Sequence, residues 1–250
     1  MIDLHSHILP GVDDGARTMD DARELATRAA ADGVTAIAAT PHVRDDYPTS
    51  PDDMEAGVGA VRADLAGHGI DVDVLTGGEV DVERAGHLSR DDLARFTLAG
   101  TGRYLLVEFP YAGWPLGLDQ SLFNLRAAGL TPVLAHPERN RDVQARPIRL
   151  EPLVAAGTLV QVTAASVDGR IGRSARETAE RLLEHGLVHV LASDAHTPDV
   201  REAGLAEAAR AVGDAGLARY LTEEAPAAIV AGERVEPAPA RRRRGFFFRR

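Results

Sequence analysis

Two histidines and two aspartates crowd into the opening stretch MIDLHSHILPGVDDG. Side chains two apart on an extended chain point the same way, so a strand over Met1–His5 would set His5 and His7 on one face, where two imidazoles can share a metal ion. Read alone, the stretch is also ordinary turn chemistry, because Asp13-Asp14-Gly15 is a common turn triplet and His-x-His specifies only two positions. Similar residues recur along the chain. His42 closes AIAATPH, Glu79 ends LTGGE, Glu108 lies inside YLLVEFP, His136 ends PVLAH, and Asp194 and His196 belong to LASDAH. Each has a plain alternative: His136 capping a helix, Glu108 pairing with an arginine, Asp194 opening a turn. A carboxylate inside an apolar run is nonetheless costly to bury unless it is paired or bound to a cation. With Asp14, these nine residues exceed the roughly four donors of one tetrahedral ion, so the set predicts a site for two or three ions. Mixed imidazole and carboxylate donors suit manganese, iron or zinc.

The elements that must position these residues are legible as short apolar runs between helix-like segments. Strands are expected at 1–5, 34–40, 72–80, 104–109, 131–136, 159–164 and 187–193, each nearly continuous in apolarity, as in a parallel sheet covered on both faces. Between them, Thr18 with Asp21 and Ser50-Pro51-Asp52-Asp53 read as helix N-termini, Gly33 as a helix stop, and 118–130 and 175–187 as amphipathic helices ending at glycine. Strands alternating with helices predict one α/β domain, a parallel β/α barrel of seven rather than eight repeats. A doubly wound open sheet is the alternative, but no G-x-G-x-x-G turn follows the first strand. In such barrels chemistry gathers where strands end, and six of the seven predicted strand ends carry one of the nine residues.

The composition, 44% hydrophobic over 250 residues with 24 Gly and 14 Pro dispersed, is that of a globular protein. No apolar run approaches the roughly 18 residues of a membrane span. Asp3 and His5 stand where a secretory signal has positive charge and then an apolar core, so a cytoplasmic location is expected. The chain has no cysteine, which excludes disulfides, zinc–thiolate sites and a cysteine nucleophile. Its net charge of −10 argues against nucleic-acid binding through a broad basic surface. Six of the 28 Lys+Arg lie in the last ten residues, leaving 22 against 38 Asp+Glu, a net −16, for residues 1–240. The expected division is therefore a domain over 1–232 and a Pro/Ala spacer with a basic, aromatic tail over 233–250.

MIDLHSHILPGVDDG, ATPH, GGE, VEFP, PVLAHPER and LVHVLASDAH occur in that order across nearly all of residues 1–232. On these motifs the chain resembles the polymerase and histidinol phosphatase (PHP) superfamily, and more closely its bacterial manganese-dependent protein-tyrosine phosphatases of capsule and exopolysaccharide synthesis. The resemblance implies a distorted seven-stranded, TIM-like barrel. It implies two or three divalent ions, manganese with iron or zinc as alternatives, held by His5, His7, Asp14, His42, Glu79, Glu108, His136, Asp194 and His196. Arg139 matches the family's phosphate-binding position. Arg201 is a second candidate, with a solvated helix arginine near Asp199 and Glu202 as its alternative. Asp13 is expected to be a turn residue, His189 structural, and His68, His87 and His185 solvated. Tyr111 and Trp114 either shape the substrate mouth or pack against it.

The expected reaction is attack by a metal-activated hydroxide on phosphotyrosine of a bacterial tyrosine kinase tail, with Arg139 neutralising charge. His42 or Asp194 is the candidate proton donor, although a phenol leaves more readily than an alcohol. A small-molecule phosphatase of the histidinol phosphate type, a nuclease, and a non-catalytic metal-bound adaptor are the alternatives. The tail, RRRRGFFFRR, combines clustered arginine with aromatic rings, which predicts peripheral contact with an anionic membrane through Arg241 to Arg250.

Overall fold

The computed structural model describes residues 1–198 and 204–239. Its strands are β1 (Ile2–Ser6), β2 (Ala36–Ala39), β3 (His42–Arg44), β4 (Tyr47–Pro48), β5 (Asp73–Leu75), β6 (Glu79–Asp81), β7 (Tyr104–Glu108), β8 (Thr131–Leu134), β9 (Leu159–Thr163) and β10 (Val190–Ala192). They form one sheet in the order β1-β2-β5 and another in the order β10-β9-β8-β7-β6-β3-β4. Among the described residues only the β3–β4 hairpin is antiparallel, so the fold is mixed α/β with parallel-dominated sheets.

Two expected strands are each divided. The run 34–40 stops before Pro41 and resumes as β3, while 72–80 splits into β5 and β6 around Thr76–Gly78. Proline has no N–H to give to a ladder. Around Gly78 a Cβ would fall 2.6 Å from Phe96 Cδ1, and the Thr76 carbonyl turns aside to accept from Ala99 N at 2.8 Å. Because both chains step at the same level, β2 still pairs with β5 and β3 with β6. The step sets His42 directly opposite Glu79, and β6 in turn sets Asp81 opposite Glu108.

The helices begin and end on the expected signals. Thr18 and Asp21 cap each other reciprocally at the start of Met19–Ala31, as do Ser50 and Asp53 ahead of Pro51–Gly67. The two later amphipathic segments fold as Leu118–Ala127 and Arg173–Glu184, each followed by a left-handed glycine. Strand side chains divide between two apolar clusters. Leu105 and Val107 pack with the helices, whereas Tyr104 and Leu106 join Leu4, Ala38, Leu75, Val133 and Val190 from strands of both sheets. Among the described residues no helix is long and apolar enough to cross a membrane. Residues 233–238 lie on the body, with Tyr104 Oη donating to the Glu233 carbonyl and Tyr220 Oη to that of Glu236 at 2.7 Å.

Candidate metal centre

All nine residues picked out as ligands lie in one cluster, buried except for exposed Asp14 and partly buried His196. β1 presents His5 and, just beyond its end, His7, both fully buried. His5 Nδ1 lies 3.1 Å from Gln161 Oε1, and His7 Nδ1 lies 2.7 Å from Asp13 Oδ2. With each oxygen accepting an Nδ1 proton, a neutral ring would keep its Nε2 lone pair for a metal ion. These two Nε2 atoms face each other at 3.3 Å. Around them stand Glu79 Oε2, 3.4 Å from each, and Asp194 Oδ1, at 3.5 and 3.6 Å. Donors about 2.1 Å from a shared ion lie about 3.0–3.5 Å from their neighbours, so the spacing fits a cation and no hydrogen-bond network of neutral rings.

Glu79 is the hub. Its Oε1 lies 2.7 Å from His136 Nε2 and its Oε2 2.9 Å from His42 Nδ1. That second pair is too poorly aligned for a hydrogen bond, so Glu79 Oε2 and His42 Nδ1 meet as an ion pair but are both buried without a hydrogen-bond partner. Such orphaned atoms are expected where a metal takes the lone pairs. Further out, Glu108 Oε1 is 3.2 Å from His42 Nδ1, and Asp14 Oδ1 is 3.4 Å from His42 Nε2 and 3.5 Å from His196 Nε2. The donors gather as His7–Asp14–His42–His196, His5–Glu79–His136, His5–His7–Asp194 and His42–Glu79–Glu108, overlapping groups each of which could hold a metal ion.

The backbone carries strain to achieve this. His136 (φ 33°) and Asp194 (φ 53°) are left-handed without being glycine, a conformation costing about 1–3 kcal/mol each. Gln161 Oε1 accepts from His136 N at 3.2 Å, and the His5 carbonyl accepts from Asp194 N at 2.9 Å, so both are held. Gly15 closes the Asp13–Asp14 turn over His7, where a Cβ would fall 2.1 Å from the His7 carbonyl oxygen.

Electrostatics follow from this packing. Burial disfavours the His42 imidazolium, but the Glu108 and Glu79 carboxylates outweigh it and raise the group to about 9. Burial likewise opposes charge on Asp194 and Glu79, yet the surrounding imidazoles, His5 foremost, hold both well below the usual carboxylate range. Asp14 is lowered chiefly by His196. His189 is different: it accepts from Val160 N through Nδ1 at 3.1 Å, away from the cluster, and burial pushes it down to about 4, as a structural histidine.

Arg139 reaches the cluster directly, its Nη1 2.6 Å from Asp194 Oδ2 and its guanidinium 4.5 Å from the Tyr111 ring centre. Arg201 lies outside the described residues. Three contributors were not anticipated as such. Gln161 orients His5 and His136; Arg44 Nη1 reaches Glu108 Oε1 at 3.3 Å; and Asp13, expected only to make a turn, does so through Gly15 N while also taking His7 Nδ1 and, at 2.9 Å, His42 N. Gln161 had a signal, a polar residue in the buried run LVQVTA. Asp13→Asn should weaken manganese binding by about 10- to 100-fold, the usual scale for losing an orienting carboxylate. Metal titration of the purified chain checks this, and an unchanged affinity would remove Asp13 from that role.

Comparison with known proteins gives a consistent picture. The family described as capsular polysaccharide synthesis, CpsB/CapC, matches residues 1–226. Tyrosine-protein phosphatase YwqE of Bacillus subtilis is 36% identical over 203 residues, covering 80% of this chain and 79% of its own length. Tyrosine-protein phosphatase CpsB of Streptococcus pneumoniae is 29% identical over 206 residues, covering 80% and 85%. A chain from crystal structures of YwqE from Bacillus subtilis and CpsB from Streptococcus pneumoniae, described as unique metal-dependent tyrosine phosphatases, superposes with a TM-score of 0.87 at 32% identity. It covers 97% of this chain and 100% of the other.

Proposed function

The chain belongs to the CpsB/CapC capsular polysaccharide synthesis family, and from that premise we infer that it is a metal-dependent protein-tyrosine phosphatase acting on a tyrosine kinase of capsule or exopolysaccharide synthesis. The observation that carries the chemistry is the convergence of the His5 and His7 Nε2 atoms with Glu79 and Asp194, beside the Arg139 guanidinium.

In this reading His5, His7, Asp14, His42, Glu79, Glu108, His136, Asp194 and His196 hold two or three divalent ions, manganese first and iron or zinc as alternatives. When bound, these supply Lewis acidity that makes water a nucleophile near neutral pH and draws charge from phosphoryl oxygens. The chain does the rest. Asp13 and Gln161 keep the His7 and His5 lone pairs turned inward. Arg139 offers its guanidinium to a phosphoryl oxygen, and Arg201 is the second arginine proposed for that role. His42 and Asp194 remain the candidate proton donors to the leaving phenol where one is used, and a phenol leaves readily without one.

Closure of the two sheets into a distorted seven-stave barrel belongs to the same proposal. It is supported by a parallel bridge between Ser6 and Ala195, which brings β1 against the end of β10, and by an interior apolar cluster drawing on both sheets. We take residues 1–232 as the catalytic body.

The manganese-loaded chain should hydrolyse a phosphotyrosine peptide and leave histidinol phosphate nearly untouched. The reverse preference would make it a small-molecule phosphatase, and no turnover of either an adaptor. For the basic tail, which lies outside the described residues, we propose attachment to anionic membrane. The full chain should cosediment with anionic but not neutral liposomes, and a version ending at Ala240 with neither; equal binding by both ends that idea.

A further inference from the structure

A cleft of about 340 Å³ opens beside the metal cluster, lined by Tyr111, Arg139, Gln144, Ile171, Arg173 and Ala175 among others. Arg139 links the cleft to Asp194. One wall is the ring of Tyr111, 5.5 Å from the His136 ring and 4.5 Å from the Arg139 guanidinium; Ile171 and Ala175 are its apolar lining residues on the other segment.

Tyr111 is 48% exposed, yet its backbone is fixed. The Tyr111 carbonyl accepts from Arg141 N at 2.9 Å. Buried Asn140 clasps the same loop, its Nδ2 donating to the Pro110 and Gly113 carbonyls at 2.7 and 2.9 Å while its Oδ1 accepts from Asp142 N and Val143 N. All four hydrogen-bonding positions of that amide are used. The loop bearing the aromatic wall is thus stapled to the turn that bears His136 and Arg139. A half-exposed ring on an immobilised backbone is a preformed surface, which lowers the entropy cost of stacking another ring on it.

We propose that this cleft is the leaving-group subsite, receiving the phenyl ring of the substrate between Tyr111 and Ile171 with the phosphate directed past Arg139 to the metal cluster. Tyr111 and Ile171 are then specificity-determining residues that favour aryl over alkyl phosphates. This rests on the phosphatase reading and deepens it: a phosphoserine side chain is too short and too narrow to fill such a slot.

The test uses the full manganese-loaded chain and paired peptides of one sequence bearing phosphotyrosine or phosphoserine. Tyr111→Ala should lower kcat/KM about tenfold more for the phosphotyrosine peptide than for the phosphoserine peptide, with the difference mainly in KM. Ile171→Ala should move the same ratio in the same direction, and Tyr111→Phe should restore it. Calorimetric binding of phenylphosphonate against methylphosphonate gives a reading that needs no turnover: the parent should prefer the phenyl compound and Tyr111→Ala should lose that preference. If Tyr111→Ala weakens both members of each pair equally, the ring acts only through Arg139 and the subsite is overturned. Equal preferences in parent and variants overturn it as well. A parent that turns over neither peptide defeats the phosphatase reading, while the phosphonate pair still decides the cleft.

Discussion

Phosphatase activity should fall to background when the chain is stripped of divalent ions, return on adding manganese, and be indifferent to thiol alkylation. Half of this follows from composition, because no cysteine exists to be alkylated. The other half follows from how the cluster is held together. The His5 and His7 Nε2 atoms face each other across 3.3 Å, and Glu79 Oε2 and His42 Nδ1 are buried without hydrogen-bond partners. A bound cation would satisfy these converging donor atoms. The stripped chain should also melt at a lower temperature, and manganese should raise its Tm in proportion to the logarithm of its concentration above saturation. Full phosphatase activity in protein shown to be ion-free would overturn the reading.

Arg139→Ala should lower kcat/KM for phosphotyrosine about 10²- to 10³-fold, the scale of removing one charge-assisted contact to a developing oxyanion. The guanidinium is held from two sides, by Asp194 at 2.6 Å and by the Tyr111 ring, so little freedom remains to be lost when substrate arrives. Removing it also strips Asp194 of a partner, so metal content must be measured alongside. Arg139→Lys should recover only part of the loss, since an ammonium lacks the planar fork. Parental turnover by Arg139→Ala at normal metal content would end the assignment.

The proposed ligands could be picked out of the sequence because most are charged or imidazole side chains inside or at the end of an apolar run, an arrangement with a visible energetic cost. Gln161 sits in the same kind of run, but a neutral amide carries a smaller penalty and draws less notice. Asp13 was hidden by a correct observation, because one of its oxygens does make the turn that its neighbours suggest, while the other holds His7 and His42. Arg44 approaches Glu108 only through the pairing of strands far apart in sequence. The helix signals are local, so they survive into the structure almost unchanged. The break in the strand at 72–80 is not local: apolarity runs straight through it, and the cause is Phe96, packed where Gly78 has no side chain.

That break has a counterpart in the neighbouring strand, and the two together restrict how the gene can change length. His42 stands opposite Glu79 only because both chains step at the same level, so one codon gained or lost between Ala39 and His42, or between Leu75 and Glu79, would shift that pairing. Insertions and deletions are therefore excluded from two short stretches at Pro41 and Gly77–Gly78. The exposed turn at Asp45–Asp46, three residues beyond His42, carries no such constraint and is where length variation among related chains should collect.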